Sequence, residues 1–336
     1  MRTCDPRNPP VSRRAFLRAT AAAAAGLVLA PRGFGQATPA EGELVYKFVN
    51  RTNGKFADAE CFWSLDSGKN WHSFAQEPTA PCPRGNGRVY FRLGAAPKNL
   101  NDREAIWDFI EYAHRNPDSW SGNTTQVDAF CIPITIELGE KKAGITESRR
   151  KLFETFRKEA PEPFKACVKG DFWIVSPCSA GFGKKGPYAS YFDAYIDEVW
   201  AMYAQEKKTP SGKWTGKVVD GAMTFTPVAG GKSFSCARKP TTQDAFMGTG
   251  VLATNPRFCA AINRHVLADP ADWDSPAAFY KAEPYNWYAK FLHEHGIGNK
   301  AYGFCYDDDA NQAAFFSGKG KELIVTLYWD SEAARK

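Results

Sequence analysis

The sequence predicts a mainly β protein that carries a mixed α/β lobe. Three observations lead there. Short alternating runs broken by turn residues fill the stretch from 42 to 138, helical spacing dominates the later middle of the chain, and strand patterning returns at the C-terminal end. Helices set between strand-rich halves fit a β-sandwich or barrel with an inserted lobe. The groove between the two is then the default place for a site.

The first 37 residues are not read as fold. Ser12-Arg13-Arg14-Ala15-Phe16-Leu17 has the form of a twin-arginine export signal, an Ala-rich stretch over 19–30 follows, and Gly35-Gln36-Ala37 offers the small residues of a cleavage site. The apolar stretch is about a dozen residues, short of the roughly 20 that a membrane-crossing helix needs. Cleavage after Ala37 is therefore expected, leaving a mature chain without a membrane span, bound for a periplasm or the medium. The formal charge of +6 then falls to +1, with 37 basic residues against 36 acidic. No Lys/Arg cluster interleaved with aromatics remains, which removes nucleic acid from the expected partners.

From 42 to 138 the runs 44–50, 61–65 and 88–93 alternate, with Asn53-Gly54, Ser67-Gly68, the Pro81/Pro83 pair and Gly85-Asn86-Gly87 as turn chemistry between them. The stretch 147–159 carries Leu152, Phe153 and Phe156 at helical spacing. A second helix is expected over 191–205, with Tyr195, Val199 and Met202 on one stripe that reads as core packing. Strands are expected at 214–219, 223–226 and near Phe234, helices at 257–267 and 276–296, and closing strands at 301–306 and 322–328. The β domain accordingly takes 38–146, 214–255 and 300–336; the lobe takes 147–213 and 256–299.

Eight cysteines remain once Cys4 leaves with the signal, and an even number in an exported chain favours disulfides, their pairing left open. No C-x-x-C spacing suggests a structural zinc site. Aromatic residues make up 14% of the chain, many beside Asn, Asp and Gly, a composition that suits the apolar faces and polar edges of sugars and equally suits an ordinary core.

Two strand candidates carry acids. In 107–112, period 2 puts Trp107, Phe109 and Glu111 on one face; in 124–130 it groups Thr124, Gln126, Asp128 and Phe130. Asn116-Pro117-Asp118 is a turn signal, so the two runs can pair antiparallel and set Glu111 and Asp128 across one surface. Glycoside hydrolysis needs two such carboxyls, about 5–5.5 Å apart when retaining and roughly 6.5–9.5 Å apart when inverting. Spacing alone leaves them open to a second reading, as solvated strand residues.

The stretch Trp120-Ser121-Gly122-Asn123-Thr124-Thr125-Gln126-Val127-Asp128-Ala129-Phe130 resembles the N-T-T-Q-V-D-x-F motif of glycoside hydrolase family 64, β-1,3-glucanases related to thaumatin-like proteins. Asp108-Phe109-Ile110-Glu111-Tyr112 is similar to the family's D-F-[VI]-E-[FY] motif, and residues 191–200, 258–264 and 302–308 resemble later blocks in the same order. The resemblance implies a thaumatin-like sandwich or barrel, an inserted lobe, and a wide groove for glucan. It implies inversion without metal or cofactor, Glu111 as general acid and Asp128 as general base. Trp120, Asn123, Thr125, Asp307 and Asp308 would then contact sugar, and the protein is expected to act as a monomer. Cys131 and Cys305 depart from the pattern and are the first pair to try as a bridge. The rival to hydrolysis is a non-catalytic glucan-binding protein, which would not need both acids.

Weaker signals carry less. Gly181-Phe182-Gly183-Lys184-Lys185-Gly186 lacks the strand–helix context and the acid of a dinucleotide site, and reads as a loop or a lip on the groove. Asp307-Asp308-Asp309 lacks EF-hand spacing. His293 and His295 stand two apart on a helix and face different ways.

Overall fold

The computed structural model describes residues 44–95, 105–117 and 119–330; the expected export signal lies outside them. Two sheets face each other across one apolar core. The first runs in the order Phe315–Lys319, Ser119–Thr124, Ile106–Asn116, Gly85–Leu93, Cys61–Ser64, His72–Ser73. The second runs Lys141–Gly144, Ile134–Leu138, Glu322–Tyr328, Val45–Arg51, Thr79–Pro81, with Val45–Arg51 and Glu322–Tyr328 parallel.

Alternation decides what each strand buries. Val89 and Phe91 with Ile110 and Tyr112 turn inward to meet Phe48 and Tyr46 of the opposing sheet. Phe48 stacks on Trp63 and Phe74, with ring centroids 5.1 and 5.4 Å apart. Such pairs add about 0.5–1.5 kcal/mol each beyond the area they bury. Both sheets keep open edges among the described residues, so the architecture is a sandwich rather than a closed barrel.

A second core gathers the helices Arg149–Glu159, Asp193–Met202, Pro256–Asn263 and Trp287–His295. Leu152, Phe153 and Phe156 are buried on the expected stripe, and Ser148 caps their helix by accepting from the Lys151 amide. The helix expected over 276–296 is cut short. Pro276 opens only a single 3-10 turn, Pro276–Ala278, and the ring and missing N–H of Pro284 bar a helix through that point, so Trp287–His295 starts afresh from an Asn286 cap.

Two further expectations differ. The strands Trp214–Val219, Ala222–Pro227 and Phe234–Cys236 form a separate sheet with Lys207–Lys208 rather than part of the sandwich. They turn Met223 and Phe225 into the helical core, where Phe225 lies 5.2 Å from Tyr203 and 5.8 Å from Trp273. Residues 301–306 form no strand; Ala301, Phe304 and Tyr306 also pack into the helical core. An alternating pattern says that one face is buried, and leaves open against what.

The Gly-rich stretch after Ser176 is tied down. Phe182 is fully buried, and the Tyr188 amide donates to the Gly181 carbonyl at 3.1 Å.

Candidate active site

Glu111 reaches the site from the face of its strand that turns away from the sandwich core. The register sets Arg88 opposite it on one side and Asn123 opposite it on the other. Arg88 uses that pairing: Nε and Nη2 both donate to Glu111 Oε1, at 3.1 and 2.9 Å. The same guanidinium lies 4.1 Å over the ring of Phe109, which shares the Glu111 face. Charge-assisted bonds of this kind fix a carboxylate's orientation, and both fall on one of its two oxygens.

Asp128 arrives by another route than the one expected. The strand that pairs with the Glu111 strand ends at Thr124, so Glu111 faces Asn123 and not Asp128. Past Thr124 the chain crosses to the helical lobe. The Gln126 amide donates to the Tyr302 carbonyl at 2.9 Å, and the Tyr288 hydroxyl donates to the Gln126 carbonyl at 2.6 Å. Ala129 and Phe130 then pair with Val175 and Ile174. Asp128 sits on this crossover, its carbonyl accepting from the Ser176 amide at 2.9 Å.

Strand and crossover converge on Arg88, whose charge interacts with both Glu111 and Asp128. Burial pushes the Asp128 carboxyl up to about 6; Arg88 opposes the rise and Glu111 adds to it. Tyr302 and Asp308 stand beside the pair. The Tyr302 hydroxyl donates to Asp308 Oδ1 at 3.4 Å and is itself within the field of Glu111. Burial raises Asp308 to about 6 as well, with Asp307 adding to the rise. Two half-buried carboxyls, one held by a guanidinium and one with a proton affinity close to neutrality, can donate and accept protons on either side of a bound group.

Other expected site residues fall elsewhere. Trp120 is 1% exposed: it alternates with Asn123, so its ring enters the sandwich core, 5.4 Å from Phe316, and its Nε1 donates to the Tyr46 hydroxyl. Asn123 shares the Glu111 side but is equally buried, its Oδ1 left without a hydrogen-bond partner. Thr125 is buried too and spends its hydroxyl on the Val127 amide.

Asp307 is fully buried. His293 Nε2 lies 3.0 Å from its Oδ2, Arg264 Nη2 3.1 Å from its Oδ1, and the Gly303 amide donates to Oδ2, so it organises the turn and does not line the cleft. The Cys131–Cys305 bridge is not formed. All eight described cysteines are thiols; Cys131 belongs to the sandwich core, and Cys305 packs on the helical one and donates to the Phe246 carbonyl.

Sequence reasoning missed Arg88 and Tyr302. Arg88 had a signal, a cation at an alternating position of a strand run, but its partner depends on register.

A family model described as β-1,3-glucanase, glycoside hydrolase family 64, matches residues 64–327. A glucan endo-1,3-beta-glucosidase of Cellulosimicrobium cellulans is 24% identical over 303 residues, covering 75% of this chain and 54% of its own length, so the chain spans about half the length of the curated relatives it matches. Among solved structures, a β-1,3-glucanase domain from Clostridium beijerinckii superposes with a TM-score of 0.75 at 26% identity, covering 88% of this chain and all of that one. A laminaripentaose-producing β-1,3-glucanase from Paenibacillus barengoltzii, complexed with laminarihexaose, gives 0.67 at 26% identity, over 87% and 76%.

Proposed function

The chain belongs to glycoside hydrolase family 64, the β-1,3-glucanases, and from that premise we propose that it hydrolyses β-1,3-glucan to oligosaccharides with Glu111 and Asp128 as the working carboxyls. The observation that carries the proposal is that two acids from two different elements lie in the field of one arginine, which bonds Glu111 directly. Laminarihexaose bound to the Paenibacillus relative supports a β-1,3-linked chain as substrate.

Glu111 serves as general acid toward the leaving oxygen. Asp128, with its proton affinity near 6, is ionised at neutral pH and still basic enough to take a proton from water, so it serves as general base. The reaction then inverts the anomeric centre through a water held between the two carboxyls, without a covalent intermediate. Asp308, which accepts from the Tyr302 hydroxyl beside the pair, is the acceptor offered to sugar hydroxyls. The two-sheet sandwich supports the thaumatin-like relationship, and Arg13-Arg14 with the Ala-rich stretch behind them supports export by the twin-arginine route.

Reducing-sugar release from laminarin and curdlan tests the reading. The wild-type protein should release sugar, and Glu111→Gln and Asp128→Asn should each lose about 100-fold or more, with glucan binding kept. Binding without release by the wild type would make the chain a glucan-binding relative instead.

A further inference from the structure

On that reading of the site, we propose that Asp108 is a positioning residue that fixes the separation of Glu111 and Asp128. Asp108 lies in the Glu111 strand, three residues upstream, and is buried. Its Oδ2 accepts from the amides of Cys131 and Ile132, both at 3.0 Å, and its Oδ1 accepts from the Phe109 amide at 2.9 Å. Cys131 and Ile132 follow Asp128 by three and four residues. One carboxyl group thus ties the strand of the first acid to the chain that carries the second.

Arg149 completes the hold from the other side. Its Nε donates to the Cys131 carbonyl at 2.6 Å and its Nη2 to the carbonyls of Asp171 and Phe172, at 2.6 and 2.8 Å. The guanidinium is stacked between Phe153 and Trp329, 4.1 and 4.4 Å from their centroids. Cys131 is therefore gripped at its N–H by Asp108 and at its C=O by Arg149. Pinned there, the backbone cannot slide along the Glu111 strand.

Burying a carboxyl costs stability, and sandwich packing has no need of one at this position. Burial drives Asp108 up to about 7 even against three amide donors and the nearby Arg149. Separation is what an inverting pair cannot give up, because a water must fit between the carboxyls, and a misplacement of about 1 Å costs on the order of 100-fold in rate.

The test is steady-state kinetics of Asp108→Asn and Asp108→Ser on laminarin, each alone and on the Asp128→Asn background, with circular dichroism to follow folding. Asp108→Asn should lower kcat by roughly 100-fold with KM within about threefold. On the Asp128→Asn background it should change the residual rate by less than about twofold, because the group it positions is gone. Asp108→Ser, whose shorter side chain reaches neither the Cys131 nor the Ile132 amide, should lose at least as much as Asp108→Asn, which keeps one acceptor oxygen at carboxylate reach, and carries the same cycle should Asp108→Asn fail to fold. An unchanged kcat, or an equal loss on both backgrounds, overturns the proposal while leaving hydrolysis intact. A wild-type protein that releases no sugar overturns the hydrolase reading and this inference with it.

Discussion

At the scale of single residues, one cation acts on both acids of the proposed site. Arg88 bonds Glu111 Oε1 through two N–H groups and lowers the proton affinity of Asp128. Removing its charge while keeping the length of the side chain should therefore act twice. In Arg88→Met the Glu111 carboxyl loses the donors that orient it, and the Asp128 carboxyl rises further above about 6. Activity should drop roughly 10- to 100-fold, part of the range that positioned proton transfer contributes. The acidic limb of the kcat/KM profile should also move to higher pH, since a base with a raised pKa ionises later. A lower rate with an unmoved limb would separate Arg88 from Asp128. Arg88→Lys should restore the limb more fully than the rate, because an ammonium supplies charge without the planar fork. The two carboxyls proposed for the site stand out in the sequence through their motifs. Arg88 does not, because nothing in an alternating strand states which residue of the next strand stands opposite.

At the scale of elements, the Glu111 strand and its neighbour Ser119–Thr124 set the position of the first acid, and their close approach rests on one glycine. A Cβ built on Gly122 would lie 2.3 Å from the Glu111 carbonyl oxygen and 2.4 Å from the Trp120 ring. Gly122→Ala must push the strand Ser119–Thr124 away from Glu111 or expel the buried tryptophan. It should cost about 1–3 kcal/mol of stability, read as a lower urea midpoint, and lower kcat as the Glu111 backbone shifts. A variant with an unchanged midpoint would show that the sheet yields here at no cost. The hairpin itself was foreseen from Asn116-Pro117 and the alternation around it. What the sequence reading misplaces is the second strand: it is expected over 124–130, whereas the strand that pairs with the Glu111 strand is Ser119–Thr124. The pattern 124–130 alternates well enough for a strand, yet past Thr124 the chain exchanges its sheet partners for Tyr302, Tyr288 and Val175. Such a change of partner is tertiary, and no local propensity reports it. For the same reason Trp120 was expected against sugar: its motif is local, whereas its face is set by the opposing sheet.

At the scale of the whole molecule, the buried charges give stability and activity different pH dependences. Asp108, Asp128 and Asp308 all have proton affinities raised by burial, to about 7, 6 and 6. A raised acid stabilises the fold fully below its unfolded pKa of about 4, and that contribution is lost as pH climbs through the folded value. His293, which burial alone would push down, is held up by Asp307; its contribution is complete below about 6.5 and is likewise lost on the alkaline side. Four groups work the other way, among them the more exposed Asp66 and Glu147, where burial pulls up and hydrogen-bond donors outweigh it. Burial pulls against Asp307, but His293, Arg264 and the Gly303 amide keep it low, so its share disappears only as pH falls below about 4. His265, pushed down by burial, gives up its share as pH falls below about 6.5. Asp108 alone can account for up to roughly 4 kcal/mol, and Asp128 and Asp308, whose rises are smaller, for less. Stability should therefore peak near pH 4 and fall until about pH 7, as measured by urea midpoints from pH 4 to pH 8. On the proposed mechanism catalysis needs the opposite state of Asp128, ionised and able to accept a proton, so activity and stability should rise and fall in opposite directions across this range. Asp108→Asn should flatten that descent whatever its absolute stability, because the group with the longest titration is gone. A wild-type midpoint that is level or rising from pH 5 to pH 8 would mean that these carboxyls ionise in the fold without penalty, and the acidic limb assigned to Asp128 would then have to lie well below pH 6.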